Sequence, residues 1–503
     1  MKKNYLKLTA ALFAAITIGF TSCSEDTTEK VAPTVISLDV NADNSLATIY
    51  FSEGVYSMND KTGVLTDADF TVTLSGGDLT LESSVVSHTT GANSASIALT
   101  YSDTISDGSD LLTVAIATDA IFDEDGLAVV AGSVNDNLNL MGTETNTFVV
   151  SNNISANTTW ETGNIYILAG RIAVLDGITL TIEPGVVVKG QAGSAENATA
   201  LLIARGAKLM AEGTAAQPII FTSVADEIQP GEIESPNLDP TLNGLWGGLL
   251  VLGKAPISVA GDGIEASIEG VPGDDNNGKY GGTISADNSG IIKYVSIRHG
   301  GANIGEGNEI NGLTLGGVGS GTVIENIEII ANQDDGVEFF GGTVNVKNVL
   351  VWNNGDDAID TDQSWGGTLD NVIIINPGDE AFELDGPEGT MVAKHTIKNG
   401  SVFADGAEGL VDNDANSNVD MDNIYFFGLA VGQDFDELPT TYTCTFTDFE
   451  VTLPAATAIT DFFKGGSDAF VSSVAAGANT VGADKTQYAD WTWASEAGEL
   501  ADF

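Results

Sequence analysis

Thr322-Val-Ile-Glu-Asn-Ile-Glu-Ile-Ile330 is followed by Thr343-Val-Asn-Val-Lys-Asn-Val-Leu-Val351 and then by Thr368-Leu-Asp-Asn-Val-Ile-Ile-Ile375, at offsets of 21 and 25 residues. Each copy runs in the same order: strand, polar turn, acidic segment, Gly-rich corner. One such unit cannot bury its own apolar face, so the copies must stack and share a core. The pattern predicts an all-β chain built around a parallel β-helix, right-handed. Outward from this stretch, Leu180–Val188, Ala200–Ala204, Pro218–Thr222 and Leu249–Leu252 are further short aliphatic strands with no long helical segment between them. The β-helix is expected over residues 146–430, with 431–503 forming its last coils and a cap. Trp491 and Trp493 are expected to close the C-terminal end, where an open strand edge needs a cover.

Setting the coils over one another aligns their acidic segments. Asp334-Asp335-Gly336-Val337-Glu338 falls over Asp356-Asp357-Ala358-Ile359-Asp360, then over Asp379-Glu380-Ala381-Phe382-Glu383, and more loosely over Ala407-Glu408-Gly409-Leu410-Val411. The column Gly336, Ala358, Ala381, Gly409 is small and suits a tight corner. The column Val337, Ile359, Phe382, Leu410 is apolar and points inward, so by strand alternation Glu338, Asp360 and Glu383 point outward. Stacked strands lie about 4.8 Å apart, where two unit charges repel by roughly 0.9 kcal/mol in water and roughly 3.5 at an effective dielectric of 20. Such a row calls for a counter-ion, raised pKa values or hydrogen-bonding partners. Calcium fits, because it takes six to eight oxygens in loose geometry. The candidate metal ligands are Asp334, Asp335, Glu338, Asp356, Asp357, Asp360, Asp379, Glu380 and Glu383, with Asn353, Asn354 and Asp362 as additional donors. Two alternatives stay open: solvated turns screened by salt, and direct contact with a sugar.

The chain carries 71 acidic against 18 basic residues among 503, a net charge of -53. That excludes nucleic acid and an anionic membrane surface as partners and favours cations or neutral sugars. Trp365 follows the acidic segment in SWGG, where an exposed indole beside Asp362 and Asn354 would stack on a sugar ring. Trp246 and Trp352 read instead as core caps. Leu313–Gly321 lacks the Lys-Ser/Thr ending of a phosphate loop, and the three scattered histidines offer zinc no cluster.

Catalysis has thin support. A lyase needs a basic residue beside calcium-binding carboxylates. The acidic half offers little beyond Arg298 with His299, Lys347, and Lys394 with His395 and Lys398. A hydrolase needs only two carboxylates at set distances, for example Asp335 with Asp357. No catalytic residue is assigned.

At the N-terminus, Lys2, Lys3 and Lys7 precede an apolar run, Leu8–Phe20, and the segment ends FTSC at Cys23. This resembles a bacterial lipobox, which implies a leader over 1–22 and a lipid on Cys23. The only other cysteine, Cys444, is distant. The acidic tether, 23–30, resembles that of surface-exposed lipoproteins of the Bacteroidota and implies an outer-membrane, cell-surface location, with the lipid as sole membrane contact. Residues 31–140 read as a β-sandwich. ATIYFSEGVYS, DADFTVT and IFDEDGLAV resemble bacterial Ig-like domains, and Asp123-Glu-Asp125 reads as a calcium loop or, more simply, a turn closed by Gly126.

From about Asn146 onward, GVVVKG, LIARGAKLMAEGTAAQPIIFTS, GLWGGLLVLGKAPI, NEINGLTLGGVGSGT, DDGVEFFGGTVNVKN and DWTWASEAG resemble a family of Bacteroidota cell-surface lipoproteins with a parallel β-helix. The resemblance implies a surface location and no defined activity. The sequence is therefore read as a lipid-anchored binding protein for a glycan or a protein partner, calcium-assisted, alongside an outer-membrane uptake or adhesion system. The competing class is a calcium-dependent polysaccharide lyase or glycoside hydrolase.

Overall fold

The computed structural model describes residues 30–41, 44–77, 79–102, 110–138, 147–194, 197–302 and 310–503. The expected lipidation site Cys23, the leader and the tether to residue 29 lie outside them. Two small antiparallel sheets form the first unit. Val35–Val40, Leu46–Phe51, Ser94–Tyr101 and Leu81–His88 lie side by side in one; Phe70–Ser75, Leu111–Ile116 and Ser133–Asn137 make the other. Leu46–Phe51 buries every second residue, the period of a half-buried strand, and Ile49, Phe51, Ile97, Leu112 and Val114 share one core. The Asp123 segment is a turn. Asp123 Oδ1 accepts the backbone N–H groups of Asp125 and Leu127, both at 2.8 Å, and Lys30 pairs with Asp125.

From Thr147 the chain coils. A long sheet runs from Thr147–Val150 to Val471–Ser473 with every neighbouring pair parallel along its main path. An eight-stranded parallel sheet, from Arg171–Val174 to Val411–Asn413, forms another wall. The interior between them is continuous. Ile327, Val349, Val372, Ile424 and Phe449 stack in register from the long sheet, and Val337, Ile359, Phe382 and Val411 from the eight-stranded one. This is the architecture of a parallel β-helix.

The repeats turn one corner with a single left-handed residue. Asn326, Asn348, Asn371, Asn399 and Asn423 all have φ between 56° and 69°, a conformation asparagine tolerates better than other side chains that carry a Cβ. Stacking the corners stacks the amides. Asn348 Nδ2 donates to Asn326 Oδ1 at 2.8 Å, Asn371 to Asn348 at 2.8 Å, and Asn423 to Asn399 at 2.5 Å.

The tail departs from expectation. Trp491 and Trp493 do not cover the terminal coil; with Tyr488 and Leu500 they lie on Ile330, Leu350, Trp352, Ile373 and Ile375, outward residues of the middle coils. Tyr488 donates its hydroxyl to the carbonyls of Val349 and Asn371. The Ala494 N–H donates to Glu328, whose carboxylate lies 3.5 Å from the fully buried Arg298. At the end of the coil, Phe435, Phe446, Phe449, Phe463 and Phe470 fill the interior instead.

Candidate functional site

The outer face of the eight-stranded sheet changes character along one column. In register, its outward residues are Ala173, Leu202, Leu250, Thr314, Glu338, Asp360, Glu383 and Asp412. The first three are apolar and buried beneath Ile257, Ile268, Val271 and Tyr280, supplied by the insertion that follows Leu249–Leu252. From Glu338 onward the column is acidic. Two residues along the strands, Leu252, Gly316, Phe340 and Asp362 repeat the change.

Glu338, Asp360 and Glu383 thus point away from the interior as predicted, but Glu338 is only 7% exposed, and Asp335 and Asp357 are buried with it. The reading of these groups as solvated turns is corrected on this point. The fourth rung is also corrected: Phe382 pairs with Val411 and Glu383 with Asp412, so Val411, not Leu410, continues the inward column. Asp412 was missed because the rung was set one residue early. A slip of one exchanges the faces of a strand.

Corner chemistry explains the second aspartate of each pair. Asp335 Oδ1 accepts the Asp357 N–H at 3.0 Å, and Asp357 Oδ1 accepts the Glu380 N–H at 2.8 Å, so each carboxylate braces the corner of the next coil. The small column is required there, since a Cβ on Gly336 would sit 2.5 Å from the Ala358 carbonyl oxygen. Asp379 contributes its carbonyl, which accepts the Glu408 N–H.

Two sets of carboxylates converge. Asp334, Asp335 and Asp356 each place an oxygen within 4.8 Å of the others, as do Asp335, Glu338 and Asp360. Asp335 belongs to both sets. Burial first, and then the neighbouring carboxylates, push the pKa values of Asp335, Glu338 and Asp360 well above the usual carboxylate range. Burial with a hydrogen bond to Glu383 does the same to Asp357. Farther along, burial raises Asp362 to about 6 and Glu380 and Asp385 to about 7. Asn311 donates to Glu338, and its own buried Oδ1 lacks a hydrogen-bond partner. The donors are all hard oxygens at spacings that a calcium ion, with ligands at roughly 2.3–2.6 Å, can bridge. They do not suit a soft metal.

Other expected donors stand differently. Asn354 is buried and gives its Nδ2 to the Asp356 carbonyl. Asn353 donates to Pro240. Trp365 is not a binding surface: it is 1% exposed, stacks on Phe339 at 4.0 Å and donates to the Val344 carbonyl. Its corner turns the indole inward, where it fills the interior as Trp246 does. Three of the basic groups weighed for a lyase are engaged elsewhere. Lys394 pairs with Asp420 and Lys398 with Asp370. His395 is buried, faces Thr361 at 3.4 Å, and is held neutral by burial, which lowers its pKa to about 3.

A profile described as a pectate-lyase-like beta helix domain matches residues 152–496. The chain belongs to that family. Two solved structures are similar to this chain. One is the catalytic unit of a thermostable GH87 alpha-1,3-glucanase from Streptomyces thermodiastaticus, 11% identical over 88% of this chain and 91% of that one, with a TM-score of 0.29. The other is the catalytic domain of a GH87 alpha-1,3-glucanase in complex with tetrasaccharides, 10% identical over 90% and 98%, with a TM-score of 0.31. No curated protein matches the chain.

Proposed function

We propose that this protein is a lipid-anchored, cell-surface binding protein of the outer membrane. In this reading an Ig-like spacer carries a right-handed β-helix whose acidic face holds calcium and, through it, a glycan or protein partner. The observation that carries it is the buried convergence of Asp335, Glu338 and Asp360, whose oxygens lie within 4.8 Å of one another. Among the described residues no Lys or Arg forms an ion pair with these three. Like charges so placed keep their protons unless a cation replaces them, so metal binding releases protons at neutral pH. The bound ion then presents open coordination positions to hydroxyl or carboxylate groups.

A second reading, a glycoside hydrolase, draws on Asp362 and Asp385, whose pKa values of about 6 and 7 suit a general acid near neutrality. A lyase has less support, since among its candidate bases Lys394 and Lys398 are paired and His395 is held neutral. Calcium titration by calorimetry in two buffers of different ionisation enthalpy tests the first reading. Heat should depend on the buffer as protons leave, and Asp360→Asn should weaken binding at least about tenfold. An array of glycans, followed by analysis of products, separates binding from cleavage; new reducing ends would establish the hydrolase. Absence of any calcium heat sinks the metal-assisted reading.

A further inference from the structure

A second site stands on the long sheet, beside the end of the tail. Phe403 and Phe427 are partners in adjacent strands, and Phe403 lies two rungs on from Trp352 and one from Ile375 in the same outward column. Over Trp352 and Ile375 the tail lies directly on the sheet. Beyond them its last residues, Ala501, Asp502 and Phe503, wall a cavity of about 590 Å³ that Phe403, Tyr425 and Phe427 also line. That volume is ordinary for a small-molecule site. Tyr425 and Phe427 stack at 5.1 Å with 10° between their planes, Phe403 leans on Phe427 at 37°, and Phe503 meets Phe427 edge-on at 4.9 Å.

The cavity is not uniformly apolar. Thr452 shares a 2.7 Å hydrogen bond with the Tyr425 hydroxyl. Asn479 uses its Nδ2 on the Val481 carbonyl at 2.8 Å, which keeps its Oδ1 as an acceptor. Tyr425 and Phe427 are buried behind the lining, while the half-buried rings of Phe403 and Phe503 with the Asn479 amide at the side match a pyranose, which carries C–H bonds on its faces and hydroxyls around its rim. The Thr452 hydroxyl also donates to the Val474 carbonyl, and an alkyl chain would cover the Asn479 amide oxygen without giving it a hydrogen bond. An anion would meet Asp502 and no Lys or Arg in the lining, on a chain of net charge -53.

We infer that this aromatic cavity is a binding subsite for a neutral hexose unit of a glycan, separate from the acidic column and independent of calcium. The inference rests on the glycan-binding reading above and assigns the sugar contact that Trp365, buried in the interior, does not make.

Saturation-transfer NMR of the full chain with neutral glucose- and mannose-based tetrasaccharides tests it, each run with calcium and with EDTA. Sugar ring protons should receive saturation in both conditions. Ala476→Trp places an indole into the cavity from an exposed position and should weaken binding at least about tenfold while leaving the melting temperature unchanged. Asn479→Ala, which leaves the aromatic rings intact, should weaken it by a smaller factor. Binding that survives Ala476→Trp but vanishes with EDTA overturns the cavity and leaves the calcium reading standing. Binding of none of the neutral tetrasaccharides overturns the cavity as well, and a calcium heat in the calorimeter would then still support the acidic column as a metal site.

Discussion

Leu250 and Glu338 occupy the same outward column of the same sheet, two strands apart, yet one is core and the other belongs to a cluster of carboxylates. The backbone is alike at both, and so is the inward partner: Leu249 and Val337 lie in one continuous interior. What differs is the cover. Over Leu250 and Leu252 the insertion lays Ile257, Ile268 and Tyr280, so apolar outward residues are stabilised by burial. Over Asp360 and Glu383 no such apolar layer stands among the described residues, and the column carries charge. The inner column sets the coil; the outer column is free to become a second core or a site.

Substitutions can break this contrast. The largest effect is expected at Phe382→Ala, an inner position, with a loss of about 3–5 kcal/mol. Glu383→Ala beside it should leave stability within about 0.5 kcal/mol or raise it. Chemical denaturation of both variants checks the pair. Leu252→Ala, although outward, should cost about 2–5 kcal/mol, because there the outer face is core. A cost under 1 kcal/mol would mean that the insertion is not seated on the sheet.

A smaller effect is expected at the asparagine corners. Asn348→Ala places a residue with a Cβ at φ 56° and breaks the amide ladder, for about 1–3 kcal/mol. Asn348→Gly should recover part of that loss, since glycine accepts the conformation.

The pH dependence sharpens the comparison further. Folding raises the pKa values of Asp362, Glu380 and Asp385 to about 6 to 7, so the folded state holds protons more tightly than the unfolded one. Their contribution is present below about pH 4, the ordinary carboxylate range, and is lost as pH rises through 6 to 7. The melting temperature of the protein in EDTA should fall across that window, and calcium should flatten the decline. Asp360→Asn should leave the melting temperature in EDTA near pH 7 close to that of the parent and abolish the calcium effect, because an amide replaces a carboxyl that keeps its proton without metal and cannot ionise to bind it.

Most of the coil was legible because stacking leaves a period. The repeated strands and the aligned Gly/Ala and apolar positions locate Val337, Ile359 and Phe382 inside. Asn326, Asn348 and Asn371 sit at the same place in ENI, KNV and DNV, but the hydrophobic pattern does not point to them and their corner role was not read. The burial of Glu338 was not legible. It depends on packing from residues remote in sequence, such as Asn311, which periodicity does not register. Trp365 was read outward from its neighbours in the chain, but a corner residue can turn either way, and packing on Phe339 decided it. The tail failed for the same reason, since Trp491 and Trp493 meet partners more than a hundred residues earlier.

The docking of that tail has a consequence for how the rod comes apart. In a stack of coils each layer holds only its neighbours, so ends should peel away cheaply, one layer at a time. Here the segment around Tyr488–Leu500 reaches back past the last layers and is fastened to the middle ones. Unzipping from that end must first tear off the strap, which couples distant layers into one cooperative unit. During synthesis the middle layers remain unsealed on that side until the strap emerges, so the rod gains its full mechanical strength late.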